Sequence, residues 1–183
     1  MKRFIFVALV AAALVLPSAR AQQEAKKSTS PVSDTVRDIV ARQAKNMVAA
    51  VEQMPPDKFS YHPTPEQMTF AHLVVHMVES NNFLCSKIAG TAAPEATKLS
   101  DSDAKDKLVG ALKTSFDYCT QTLEKTDDSG LGDSVTLSGG RTFPRARAMI
   151  ALTNDFADHY GMAAMYLRLN GLLPPTAQPQ KKQ

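Results

Sequence analysis

Two side chains near the C-terminus carry the strongest chemical signal in the sequence. Asp155 and His159 stand four residues apart in the segment Asn154-Asp-Phe-Ala-Asp-His-Tyr-Gly. At about 100° per residue, a helix here places Leu152, Phe156, Ala163, Tyr166 and Leu167 in one apolar stripe. His159 falls near the middle of that stripe and Asp155 beside it. A carboxylate on an apolar face is costly unless something pairs with it. Carboxylate and imidazole at i and i+4 point the same way, so together they can hold a divalent metal. The competing reading is a hydrogen-bonded ion pair that only fixes helix register, and the spacing does not choose between them.

A second helix supplies a third candidate ligand. His76 flanks the stripe formed by Leu73, Met77 and Leu84, whereas His72 is rotated further towards solvent. Taken alone, His76 reads as a core-edge histidine bonded to a carbonyl. With Asp155 and His159 it completes a two-helix set suited to a divalent ion with open positions for water or substrate. The other chemistries find less support. Gly139-Gly140 precedes a helix but lacks the Gly-Lys-Ser or Gly-x-Gly-x-x-Gly context of a phosphate cradle, so a turn is expected. His62 lies in a proline-rich connector and reads as a surface residue. No serine has the Gly-x-Ser-x-Gly setting of a nucleophile. Cys85 and Cys119 have neither metal spacing nor a Cys-x-x-Cys motif.

The elements that must position these residues are helical. Val36, Ile39, Val40, Met47, Val51 and Met54 recur at three- and four-residue steps from Asp34 until Pro55-Pro56 stops the pattern. After the connector 57–65, Thr69 reads as the N-cap of a helix running to Gly90 through Phe70, Leu73, Met77, Leu84 and Ile88. Asp101 or Ser102 opens a third helix through Leu108, Leu112, Phe116 and Leu123. Residues 126–140 form an Asp/Ser/Gly-rich loop with a short extended piece at Val135 to Leu137. The fourth helix begins near Pro144 and ends at Gly171. Four amphipathic helices with almost no strand signal predict an all-α four-helix bundle.

The first 21 residues read as a signal peptide: Lys2 and Arg3, an apolar run from Phe4 to Leu16, then Ala19-Arg20-Ala21 as the cleavage site. Thirteen apolar residues are too few for a permanent span, so no stable membrane anchor is expected. The expected division is therefore a signal over 1–21, a flexible segment over 22–33, the bundle over 34–175 and a disordered tail over 176–183. Cleavage removes three basic residues and no acid, leaving 18 of each sign among 162 residues. A net charge near zero gives no electrostatic reason for a nucleic-acid partner. A small-molecule substrate is expected, its identity unknown, and a homodimer is left open.

Three stretches resemble a known family. Thr69-Phe-Ala-His-Leu-Val-Val-His-Met-Val-Glu-Ser80 is similar to the helix-two signature of the DinB-like four-helix-bundle superfamily. His159-Tyr-Gly-Met, with Tyr166-Leu-Arg-Leu-Asn-Gly-Leu-Leu-Pro-Pro175, resembles its C-terminal signature, and Lys105 to Cys119 has its helix-three character. The resemblance implies up-down-down-up helix order and a metal triad of one histidine on helix two plus a His-x-x-x-His pair on helix four. His76 matches the first position and His159 the last, while the middle one holds Asp155. Zinc, nickel or manganese is the implied cofactor. The superfamily includes thiol-dependent transferases and isomerases, whose thiol cosubstrates are cytosolic, alongside many members without known activity. The leading expectation is thus an exported metal-dependent hydrolase or transferase. The alternative is a non-catalytic binding or structural bundle of the cell envelope with a degenerate site.

The implied parallel course of helices two and three bears on the cysteines. Cys85 is sixteen residues past Thr69 and Cys119 seventeen past Ser102, so parallel packing brings both sulfurs to nearly one height. A disulfide between them is the expectation, against two separate buried thiols. An antiparallel hairpin would part them by about 20 Å.

Overall fold

The computed structural model describes residues 27–95 and 98–179. The expected signal peptide lies outside them. Four long helices dominate: α1 (Pro31–Gln53), α2 (Phe70–Ala89), α3 (Lys105–Glu124) and α4 (Arg145–Leu169). Their packing order is 1-3-2-4 around a square, with α1 diagonal to α2 and α3 diagonal to α4.

Side-chain contacts fix the directions. Asn81 donates to Ser115 at 2.9 Å and Cys85 is bonded to Cys119, so α2 and α3 run parallel. His76 meets His159 while Ser80 meets Asp155, so α4 runs against α2. Arg37 reaches the Leu123 carbonyl and Lys105 the Met54 carbonyl, so α1 opposes α3. The bundle is up-down-down-up. Parallel neighbours need a long return, and the α2–α3 connector makes it: Asp101 lies 3.0 Å from His72, on the first turn of α2.

The apolar stripes fill the centre as their periodicity requires. Leu73, Met77, Leu108, Leu112, Leu152 and Phe156 are all at most 1% exposed. Phe116 and Phe156 meet edge to face across the α3–α4 diagonal, centroids 5.1 Å apart. Ile39, placed in the core by its spacing, is only half-buried. α2 has the termini its sequence announces: the Thr69 hydroxyl accepts the His72 amide at 3.0 Å, and Gly90 takes the left-handed conformation at φ 70°.

Several boundaries differ from expectation. α1 starts at Pro31 rather than Asp34, so residues 31–33 are helical rather than part of a flexible segment. Its cap comes from 95 residues away: the Asp128 carboxylate accepts from the Val32 amide, the Ser33 amide and the Ser33 hydroxyl. A cap supplied by another segment leaves no local signature. α3 starts at Lys105, not at Asp101 or Ser102, because those residues belong to a tight turn in which Asp103 accepts the Ser100 amide. The extended piece is Ser134–Thr136, and it pairs antiparallel with Thr142–Pro144 in a small β-hairpin (β1 and β2). Pro144 closes β2 and caps α4 instead of opening its first turn. Residues 175–177 form a 3₁₀ turn rather than the start of a disordered tail. Tyr160 and Thr176 bond reciprocally there, and Gln178 donates to Gln53.

A candidate metal centre between α2 and α4

The structure brings His76, Asp155 and His159 together. One ligand atom from each lies within 4.8 Å of the others. α2 delivers His76 from its second turn, and the middle of α4 delivers the other two across the antiparallel α2–α4 contact. His159 is buried at 7% exposure, Asp155 is half-buried, and His76 is partly exposed, so the trio opens to solvent on the His76 side.

The hydrogen bonds prepare the ligand atoms. His159 Nδ1 lies 2.6 Å from the Asp155 backbone carbonyl. A carbonyl only accepts, so the network assigns the proton to Nδ1, and a neutral ring then keeps its lone pair on Nε2. The rings of His76 and His159 are 4.9 Å apart and inclined by 48°. Asp155 Oδ2 accepts the Ser80 hydroxyl at 2.9 Å and lies 3.5 Å from His159 Nδ1. The Asp155 carboxylate raises the His159 pKa above the ordinary imidazole value, against the opposing pull of burial.

The donor set suits a divalent ion. Two imidazoles and a carboxylate are common ligands, and donors about 2.1 Å from one ion stand roughly 3.0–3.4 Å apart. Reaching that spacing from 4.8 Å takes small rotations, most easily of His76, whose ring is least buried.

The other residues of interest are placed apart from this trio. His72 is exposed and paired with Asp101; His62 is exposed with Nδ1 2.7 Å from the Thr64 carbonyl. Gly139 and Gly140 take φ 75° and 73° in the β1–β2 turn, in keeping with the turn reading. Cys85 and Cys119 are joined as a disulfide with Cα atoms 5.3 Å apart. Ser80 is the functional candidate that sequence reasoning passed over. Its only signal was its place one turn beyond His76 on the face towards α4.

Comparison with known proteins agrees with this architecture. The sequence profile of the DinB superfamily matches residues 39–163, a span that contains all three ligand candidates. The chain belongs to the DinB superfamily. No curated protein matches it by sequence. Among solved structures, this DinB member is similar to a DinB-like protein from Bacillus subtilis, with 21% identity and a TM-score of 0.64 over 80% of this chain and 99% of that one. A DinB-like protein from Bacillus cereus gives 14% identity and a TM-score of 0.65, covering 78% and 95%. A mycothiol-dependent maleylpyruvate isomerase gives 15% and 0.59, covering 70% of this chain and 59% of that enzyme. At these identities the likeness establishes the fold. Among the described residues no helix is long and apolar enough to cross a membrane.

Proposed function

We propose that this DinB superfamily protein is an exported metal-dependent enzyme, a hydrolase or transferase acting on a small molecule. His76, Asp155 and His159 would hold one divalent ion, zinc, nickel or manganese. The observation that carries the reading is the convergence of these three side chains from two helices, with His159 Nε2 left free by the bond at Nδ1. A bound ion supplies Lewis acidity towards a water or a substrate oxygen. The chain's own residues do the rest. Ser80 keeps the Asp155 carboxylate oriented, the Asp155 carbonyl holds the His159 ring, and the solvent-facing side at His76 would admit the substrate. Similarity in fold to a mycothiol-dependent isomerase supports an enzymatic role.

Export rests on the basic, apolar and small-residue pattern of residues 2–21. The Cys85–Cys119 bond supports it, because such bridges persist in oxidising compartments. The balanced charge expected after cleavage supports a small-molecule substrate over nucleic acid.

One observation favours a second reading, a non-catalytic bundle. Asp155 Oδ2 accepts the Ser80 hydroxyl and lies 3.5 Å from His159 Nδ1, the arrangement of a structural pair. Metal analysis after mild dialysis decides between the two. The enzyme reading expects one divalent ion per chain in the cleaved protein and none in the His76→Ala/His159→Ala variant. Equal, substoichiometric metal in both supports the structural pair.

A further inference from the structure

Asp155 has a polar partner on the facing helix. Ser80 stands one turn beyond His76 on α2, and its hydroxyl donates to Asp155 Oδ2 at 2.9 Å. That oxygen is also the one 3.5 Å from His159 Nδ1. Oδ1 is therefore the oxygen of Asp155 with more of its lone-pair density free. A histidine at position 155 would leave the Ser80 hydroxyl facing an imidazole edge, with no carboxylate to orient.

We propose that Ser80 is a positioning residue that holds Asp155 as a single-oxygen ligand, tuning the site towards manganese(II) relative to zinc. The inference rests on the metal-binding reading above and names the ion class that reading leaves open. Two physical arguments support it. Oxygen donors suit manganese better than added imidazole does, so a carboxylate beside two imidazoles shifts the relative preference that way. A hydrogen-bonded carboxylate also presents one oxygen in a fixed direction, and such outer partners typically contribute about 10–100-fold in metal affinity. Zinc remains the tighter binder in absolute terms by the general order of divalent affinities, so the proposal concerns the ratio.

The test is a double-mutant cycle on the full exported protein, titrated separately with manganese chloride and zinc chloride. Ser80→Ala is expected to weaken manganese binding by about tenfold, and Ser80→Thr, which keeps the hydroxyl, to restore it. Asp155→His is expected to lower the manganese-to-zinc affinity ratio by about tenfold or more. In the Asp155→His background, Ser80→Ala should change either affinity by less than about twofold, because the coupling needs the carboxylate. Unchanged manganese affinity in Ser80→Ala, an equal loss of manganese and zinc affinity there, or an equal loss in both backgrounds overturns the proposal, the last outcome marking a merely structural serine. A wild-type protein that takes up neither ion overturns the metal-binding reading itself and this inference with it.

Discussion

Removing the Cys85–Cys119 bridge tests how the parallel α2–α3 pair is held. The bond joins residues 34 apart in sequence. In the loop-entropy model, cross-linking a loop of that length removes about 12–13 cal/mol/K from the unfolded ensemble, equivalent to about 4 kcal/mol at 25 °C. Both cysteines are fully buried, so Cys→Ala also deletes packed sulfur and adds a cavity cost. Two comparisons separate these effects. Protein refolded under reducing conditions keeps the sulfur atoms and loses only the link; the Cys85→Ala/Cys119→Ala variant loses both. Urea unfolding of each against the oxidised protein should show losses of about 4 kcal/mol and about 5–6 kcal/mol respectively. At roughly 3 °C per kcal/mol for a domain of this size, the first corresponds to a fall of about 12 °C in Tm. Mass spectrometry without reductant must first show the bond intact in the purified protein. With the bond verified, a loss below about 1 kcal/mol on reduction would refute the entropic argument.

Other features predict smaller, separable effects. Asp128→Asn should weaken the cap on α1 and lower Tm, read by thermal unfolding followed by circular dichroism. Burial, the largest influence on the Asp128 carboxyl, pushes its pKa up. The hydrogen bonds from Ser33 and Val32 outweigh it and hold the value below the usual carboxylate range. Its contribution is thus fully present above about pH 4 and lost as pH falls through the lowered folded value, so the gap between wild type and Asp128→Asn should close in acid. Gly90→Ala forces a side chain into φ 70° and should cost about 1 kcal/mol in urea unfolding. Leu112→Ala, at a fully buried core position, should cost about 2–5 kcal/mol by the same assay.

How much of this was legible in the sequence depends on where each signal lies. Thr69 and Gly90 announced α2 because a hydroxyl cap and a left-handed glycine act within one turn of their own residues. Leu108, Leu112, Phe116 and Leu123 announced α3's core face for a similar local reason. Its start is masked in the sequence, since Ser100, Ser102 and Asp103 have the look of caps but bond to one another in a turn. The Asp128 cap and the partner strand 142–144 were invisible because they join segments distant in sequence or of weak periodicity. Helix order came from the family resemblance; amphipathic stripes alone say which faces are buried, not which helices are parallel. The site was legible as three residues, two histidines and an aspartate, leaning inwards on two helices. Ser80 was not, because a serine has meaning there only once α4 brings Asp155 within hydrogen-bond distance.

The central claim is that His76, Asp155 and His159 hold one metal ion. Anomalous diffraction from crystals of the protein grown with manganese(II), recorded at a wavelength where manganese scatters anomalously, locates any such ion. A single strong peak is expected between α2 and α4, with one atom from each of the three side chains about 2.0–2.2 Å away and the Asp155 ligand contributed by one oxygen. A peak elsewhere, or none between these helices with Asp155 still bonded to Ser80 and His159, would contradict it.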